Sequence, residues 1–136
     1  MMSNSILPGA TLGILGGGQL GRMFVSAARA MGYEVVVLDP DGSSPAGSMA
    51  TKHLQAKYDD REALDYMAKH CAAVSTEFEN IPADTLDYLA NFVPVHPSAS
   101  ALRIAQNRYS EKVFFQSLGL SIANFLSIES EDDVEL

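Results

Sequence analysis

The sequence alternates between short apolar runs and longer segments in which apolar residues recur every three or four positions. The short runs are typical of buried strands, and the periodic segments are typical of helices. Predicted strands cover 11–15, 34–38, 72–75 and 93–96, and a further short strand is expected around 53–56.

Helical spacing fills the gaps between these strands, at 19–31, 60–70 and 82–91. Gly32 supplies a stop for the first helix, and Pro82 suits the first turn of the third. Strands that alternate with helices in this way form βαβ units with right-handed crossovers. The pattern therefore predicts an α/β domain with a Rossmann-like, doubly wound parallel sheet.

The pattern changes after the fourth long apolar run. Short helices are expected at 98–104 and 107–118, and a strand at 123–128. Ser130, with an acid three positions later, resembles the start of a capping box. A helix that has barely begun at Leu136 predicts that the chain stops inside a second domain.

The first predicted strand leads into a glycine-rich loop. Residues 16–21 read Gly-Gly-Gly-Gln-Leu-Gly and satisfy the pattern G-x-G-x-x-G between a strand and a helix. A helix that starts at Gln19 offers free N–H groups and the positive end of its dipole, so a phosphate or a carboxylate is expected there.

The loop alone leaves three interpretations open, which are a dinucleotide pyrophosphate, a mononucleotide phosphate and a purely structural turn. Asp39 follows Gly21 by 18 residues, at the end of the second strand, where an NAD-binding domain places its ribose-binding acid. Other segments of the chain have to decide between them.

Composition and charge argue against nucleic-acid-binding, secreted and membrane-spanning classes of protein. The net charge is −8, but five acidic residues lie in the last eight positions, and the remainder carries only −3. There is no basic patch, so we expect no nucleic-acid partner. Cys71 is the only cysteine and is expected to be a buried, inert thiol. The chain shows no signal-peptide pattern and no apolar run of membrane-spanning length, which predicts a cytoplasmic protein without a membrane partner.

Several segments together resemble one enzyme family. They are 16–23 (Gly-Gly-Gly-Gln-Leu-Gly-Arg-Met), 76–81 (Thr-Glu-Phe-Glu-Asn-Ile), 97–98 (Pro-Ser), 105–108 (Ala-Gln-Asn-Arg) and 111–112 (Glu-Lys). In this order and spacing they resemble the 5-(carboxyamino)imidazole ribonucleotide synthase family of the ATP-grasp superfamily. The resemblance extends over residues 10 to 128.

This resemblance implies a ligase of purine biosynthesis. The family carboxylates 5-aminoimidazole ribonucleotide with ATP and bicarbonate, through carboxyphosphate, and releases ADP and phosphate. It implies ATP and Mg²⁺ as cofactors, bound mainly by domains outside this chain, and a homodimer. By the same comparison, residues 1–97 would be the substrate-binding pre-ATP-grasp domain. Residues 98–136 would be connecting helices and the incomplete start of the ATP-grasp central domain.

The resemblance also implies site residues. The ribonucleotide would contact Gly16, Gly17, Gly18, Gln19, Leu20 and Glu77. Arg108 would reach an ATP phosphate, and no catalytic or metal-binding residue is expected in this chain. Purely structural roles are also open for some of these side chains. Glu77 could be a solvated carboxylate at a strand end, Glu79 could cap the helix near Pro82, and Arg108 could belong to a solvated helix face.

One residue departs from the family pattern, and another helps to choose between this family and the alternatives. Asn107 stands where many relatives would carry aspartate, so it keeps a capping role but loses a charge. Gln19 favours the carboxylating family over the formate-dependent glycinamide ribonucleotide transformylase, for which glutamate is expected. An NAD-binding oxidoreductase domain and a stand-alone nucleotide-binding module complete the set of competing hypotheses.

Overall fold

The computed structural model describes residues 5–130. Its centre is a parallel sheet of five strands in the order β3-β2-β1-β4-β5. The strands are β1 (Thr11–Leu15), β2 (Glu34–Leu38), β3 (Lys52–Leu54), β4 (Ala73–Thr76) and β5 (Val95–His96). The prediction of an α/β fold with a parallel sheet is confirmed.

Five α-helices and one turn of 3-10 helix accompany the sheet within the described residues. They are α1 (Gln19–Ala30), the 3-10 turn (Gly47–Met49), α2 (Arg61–His70), α3 (Ala83–Ala90), α4 (Ala99–Ala105) and α5 (Arg108–Ser117). Asp60, Ser98 and Asn107 cap α2, α4 and α5 by accepting hydrogen bonds from backbone amides of the first turn. Asn107 therefore does keep the capping role predicted for it.

Helices cover both faces of the sheet, as a doubly wound domain requires. Ile14, Val35 and Val37 pack against Val25 and Ala28 of α1 on one face. The alternate residues of the same strands face the other way, into a larger cluster that includes side chains of α2, α3 and α4. This alternation follows from the period of two in a strand, and it makes the central strands apolar on both faces.

Three local predictions were wrong. The segment 123–128 is not a strand and does not belong to the five-stranded sheet; Phe125 packs its ring against Tyr109. Pro82 is the residue before α3 rather than part of its first turn. Glu79 does not cap that helix, since α3 has no side-chain cap. The helix start expected at Ser130 lies largely outside the described residues.

Cys71 is buried at the end of α2, as predicted. Burial raises the pKa of its thiol to about 12, so the group stays protonated at neutral pH. Within residues 5–130, no helix is both long enough and apolar enough to cross a membrane.

Candidate functional site

The sheet order brings three chain segments together at the carboxyl ends of its central strands. Leu15, the last residue of β1, is in register with Leu38 of β2 and with Thr76 of β4. The residue after each flanking strand is acidic, and these residues are Asp39 and Glu77. The glycine loop that follows β1 therefore lies between two carboxylates, at the edge where open α/β sheets bind their ligands.

Backbone hydrogen bonds fix this arrangement. The amide of Gly16 donates to the carbonyl of Leu38 over 3.0 Å, and the amide of Glu77 donates to the carbonyl of Leu15 over 3.0 Å. Both flanking segments thus continue the parallel pairing by one residue beyond the strands. The side chains of the two acids start from rigid positions.

The Glu77 carboxylate occupies the glycine loop. Its Oε1 accepts a hydrogen bond from the amide of Gly18 over 2.8 Å, and its Oε2 accepts one from the amide of Gly21. Gly18 is the residue at the N-cap of α1, so both donors belong to the positive end of that helix. A carboxylate of the protein itself thus accepts hydrogen bonds from two amides of the loop.

The spacing of the glycines is explained by this carboxylate. A Cβ atom at Gly16, Gly18 or Gly21 would lie 2.5, 2.6 or 2.7 Å from the nearest atom of Glu77. Such distances are well inside van der Waals contact, so only glycine leaves room for the acid at these positions. Gly16 also has φ of +101°, which disfavours any residue with a side chain.

Asp39 secures the loop from the opposite side. Its Oδ2 accepts hydrogen bonds from the amide of Gly17 (2.7 Å) and from the hydroxyl of Tyr58 (2.8 Å), and its Oδ1 accepts from the amide of Asp41 (2.8 Å). Only 8% of Asp39 is exposed. Its carboxylate is therefore bonded within the fold. The NAD-binding interpretation requires the opposite, namely a carboxylate that faces a ribose.

Tyr58 is a site residue that the sequence patterns did not reveal. Burial raises the pKa of its phenol above the ordinary value, and so do the hydrogen bond to Asp39 and the charges of Asp39 and Glu77. The hydroxyl therefore remains a proton donor to Asp39. The Tyr58 ring also packs edge-on against Phe78, with centroids 5.9 Å apart. Tyr58 precedes α2 as an isolated aromatic residue, so no periodicity pointed to this role.

Part of the loop remains available to a ligand. Within residues 5–130, the amides of Gln19 and Leu20 have no hydrogen-bond acceptor, and both side chains are exposed. Glu77 is half-buried, and each of its oxygens accepts one hydrogen bond from the loop. A carboxylate oxygen has lone pairs for a second donor, so the outer side of Glu77 can accept from a ligand.

Arg108 lies elsewhere, at the start of α5. Its guanidinium pairs with Glu111 over 2.9 Å, and 84% of the side chain is exposed. Exposed pairs of this kind contribute at most about 1 kcal/mol, so the arginine can exchange this partner for another anion. Among the described residues, no hydrogen bond or ion pair joins Arg108 to the glycine loop.

Gln106 connects two of the motifs that the sequence analysis identified. Its Nε2 donates to the carbonyl of Glu79 over 2.8 Å and to the carbonyl of Ile81 over 2.7 Å. The segment 105–108 therefore fastens the segment 76–81, which carries Glu77. This structural role was not predicted.

The fold and the site define a doubly wound α/β domain, with a glycine loop and an acid at the carboxyl ends of adjacent central strands. Residues 9–106 match the family described as the ribonucleotide synthetase preATP-grasp domain. The chain belongs to this family.

Two relatives of the chain, from different bacteria, carry the same enzyme name. The chain is 40% identical over 132 residues to the N5-carboxyaminoimidazole ribonucleotide synthase of Brucella melitensis, a match that covers 97% of this chain and 36% of the relative. It is 39% identical over 135 residues to the enzyme of that name from Staphylococcus aureus, covering 99% of this chain and 36% of the relative. The chain thus spans about a third of the length of these relatives.

Solved structures agree with this relationship. The Staphylococcus aureus N5-carboxyaminoimidazole synthetase complexed with ADP superposes with a TM-score of 0.90 at 39% identity, over 98% of this chain and 36% of that one. The Aspergillus clavatus N5-carboxyaminoimidazole synthase in complex with ADP and 5-aminoimidazole ribonucleotide gives a TM-score of 0.76 at 35% identity, over 85% and 31% of the two chains.

Proposed function

We propose that this chain is the N-terminal part of a longer ligase, called the intact protein below, that carboxylates 5-aminoimidazole ribonucleotide with ATP and bicarbonate. The products would be 5-(carboxyamino)imidazole ribonucleotide, ADP and phosphate. The observation that carries the proposal is the match to synthases of this name along almost the whole chain, at 39–40% identity.

The role of this chain in the proposal is to bind the ribonucleotide. The glycine loop at Gly16–Gly18 would form the wall of the substrate site, and the exposed Gln19 and Leu20 would contact the ligand. Glu77 would accept a hydrogen bond from the substrate's exocyclic amine or from a ribose hydroxyl. The geometry supports this role, since two loop amides hold the carboxylate in place and its outer side remains accessible.

The binding of ATP would involve the second part of the chain. We propose that residues 1–97 form the substrate-binding domain and that residues 98–136 connect it to the ATP-grasp central domain. Arg108 would exchange its pairing with Glu111 for an ATP phosphate, for which a forked guanidinium is well suited. In support, no residue of α5 is buried, and the apolar side chains of Val113 and Phe114 are exposed on it.

ATP would supply the phosphoryl group that activates bicarbonate. Residues 5–130 contain no group of three or more His, Cys, Asp or Glu side chains that could hold a metal ion. We propose that Mg²⁺ and the catalytic residues belong to the rest of the intact protein. We also propose that the enzyme is a cytoplasmic homodimer, as the family resemblance implies.

An assay of ADP formation tests the proposal. The intact protein is expected to form ADP only when bicarbonate and 5-aminoimidazole ribonucleotide are both present. The 136-residue chain alone is expected to form none, because the proposed catalytic groups lie outside it. ADP formation that requires formate and glycinamide ribonucleotide would contradict the proposal in favour of the transformylase, and robust turnover by the 136-residue chain would contradict the division of roles.

A further inference from the structure

Tyr58 lies between β3 and α2 and contacts the segments on both sides of the glycine loop. Its hydroxyl donates to Oδ2 of Asp39 over 2.8 Å, and its ring packs edge-on against the ring of Phe78 with centroids 5.9 Å apart. Asp39 directly follows β2, and Phe78 follows Glu77 beyond the end of β4. One side chain therefore connects the two flanks of the site.

We propose that Tyr58 is a positioning residue for the ribonucleotide, because it fixes the conformation of the glycine loop through Asp39 and Phe78. It would not contact the ligand itself. The groups that it would hold in place are the amides of Gln19 and Leu20, which have no acceptor in the part of the chain that the structure describes. The inference rests on the proposed function for the identity of the ligand, whereas the fixing of the loop can be measured without any ligand.

The first connection runs through hydrogen bonds to the amide of Gly17. This amide donates to Oδ2 of Asp39 over 2.7 Å, and the same oxygen accepts from Tyr58. The buried carboxylate also accepts from the amide of Asp41. A buried carboxylate needs donors around it. Among the described residues, Tyr58 supplies the one donor from outside the glycine loop and the loop after β2, so its hydroxyl determines where Asp39 holds Gly17.

The second connection runs through aromatic packing to Gly16. The ring of Phe78 lies against this glycine, since a Cβ atom placed on Gly16 would be 2.9 Å from the ring. Tyr58 supports the same ring through the edge-on contact, which is a favourable geometry for aromatic pairs. Gly16 and Gly17 are consecutive, so the two connections fix adjacent residues just before the start of α1.

Tyr58 is itself anchored to α3. Its backbone carbonyl accepts a hydrogen bond over 2.9 Å from Oγ1 of Thr85, a residue that is buried on that helix. A continuous series of hydrogen bonds thus leads from α3 through Tyr58 and Asp39 to the glycine loop. Within residues 5–130, no buried side-chain nitrogen or oxygen lacks a partner. Buried polar networks that are fully satisfied in this way make a site rigid.

A rigid loop matters for binding because a loop that is ordered beforehand loses little conformational freedom when the ligand arrives. Without the Tyr58 hydroxyl, the carboxylate that holds Gly17 loses a donor, and the loop samples more conformations in the free protein. The ligand then has to order the loop as it binds. Since the bound loop is the same in both cases, the cost raises KM more than it lowers kcat.

The kinetic test compares Tyr58→Phe with Tyr33→Phe in the intact protein. Both variants lose a hydroxyl, but that of Tyr33 donates to the carbonyl of Ile6 over 2.9 Å, and Tyr33 directly precedes β2, at the opposite end of that strand from Asp39. In Tyr58→Phe, the KM for 5-aminoimidazole ribonucleotide is expected to rise about tenfold, which corresponds to one hydrogen bond with a charged group. The value of kcat is expected to change much less, and the KM for ATP to stay the same.

In Tyr33→Phe, all three kinetic constants are expected to stay within about twofold of the wild-type values, because this hydroxyl is remote from the loop. A KM for the ribonucleotide that rises equally in both variants, or in neither, would overturn the inference. A loss confined to kcat in Tyr58→Phe would do the same.

A second measurement needs no ligand. Hydrogen exchange of the 136-residue chain labelled with ¹⁵N-glycine compares the amide of Gly17 with that of Gly13, which lies in the central strand β1. In Tyr58→Phe, exchange at Gly17 is expected to accelerate roughly tenfold more than at Gly13, because the added motion is local to the loop. Equal acceleration of the two amides would mean that the hydroxyl supports only the stability of the whole fold, which contradicts a positioning role.

Thr85 provides a second pair of variants if Tyr58→Phe fails to fold. Thr85→Ser retains the hydroxyl that bonds to Tyr58, and Thr85→Val removes it at nearly the same volume. The KM for the ribonucleotide is expected to be about threefold higher in Thr85→Val than in Thr85→Ser, since a single neutral hydrogen bond is lost. Equal KM values would overturn the inference. An intact protein without bicarbonate-dependent turnover would contradict the proposed function instead, and hydrogen exchange would then decide whether Tyr58 fixes the loop.

Discussion

Replacing Glu77 with glutamine in the intact protein is expected to lower kcat/KM for 5-aminoimidazole ribonucleotide by about 100-fold, the loss that corresponds to hydrogen bonds with a charged acceptor. Glutamine has the same length but offers an NH₂ group in place of one acceptor oxygen. One of the amides of Gly18 and Gly21 would then face a donor, and the acceptor for the substrate would be lost as well. Steady-state kinetics at saturating ATP and bicarbonate measure the effect.

The matched control is Glu79→Gln, two residues along the same segment. The Glu79 side chain is exposed, and only its backbone carbonyl has a structural role, in accepting from Gln106. This variant is expected to retain kcat/KM within about threefold, as is usual for surface substitutions. The KM for ATP is expected to stay unchanged in both variants. Equal kinetics of the two variants would show that Glu77 does not contact the substrate.

Substitution of Gly16 by alanine is expected to destabilise the chain by about 3–5 kcal/mol, which combines backbone strain with overpacking. The residue has φ of +101°, and a Cβ atom there would lie 2.5 Å from Cγ of Glu77 and 2.9 Å from the ring of Phe78. The new methyl group would push Glu77 out of the loop and release its hydrogen bonds. Urea unfolding followed by circular dichroism measures the change in the free energy of unfolding.

The substitution Gly9→Ala separates the cost of backbone strain from the cost of overpacking. Gly9 has nearly the same φ, +94°, but a Cβ atom there would have no neighbour within 4 Å. Its substitution is expected to cost only the backbone strain, about 1–2 kcal/mol. Equal destabilisation by the two substitutions would mean that Glu77 does not fill the space beside Gly16, and the explanation of the glycine spacing would be wrong.

Most of the fold was predictable because the signals for it are local. The β-branched run at 34–38 and the apolar run at 11–15 form the strands predicted, with the same bounds. The prediction of a strand at 123–128 was wrong because a strand also depends on a non-local factor. Its apolar spacing fits a strand, but strand formation depends on a partner, and the partner is not a property of the segment itself.

The site was predictable in position but not in its internal chemistry. Parallel topology was enough to place Glu77 beside the glycine loop, and the structure brings them together. The sequence could not show which group satisfies the loop amides, since a ligand phosphate and a protein carboxylate require the same glycines. Asp39 illustrates the difficulty, because its spacing from Gly21 matches a ribose-binding acid although its carboxylate is bonded to Gly17 and Tyr58.

A crystal structure of the intact protein with 5-aminoimidazole ribonucleotide tests the central claim most directly. The account predicts that Glu77 Oε1 stays near 2.8 Å from the amide of Gly18, while a nitrogen or hydroxyl of the ligand donates to the outer side of the carboxylate. Phosphate oxygens bonded to the amides of Gly18 and Gly21, with Glu77 turned out of the loop, would contradict the account.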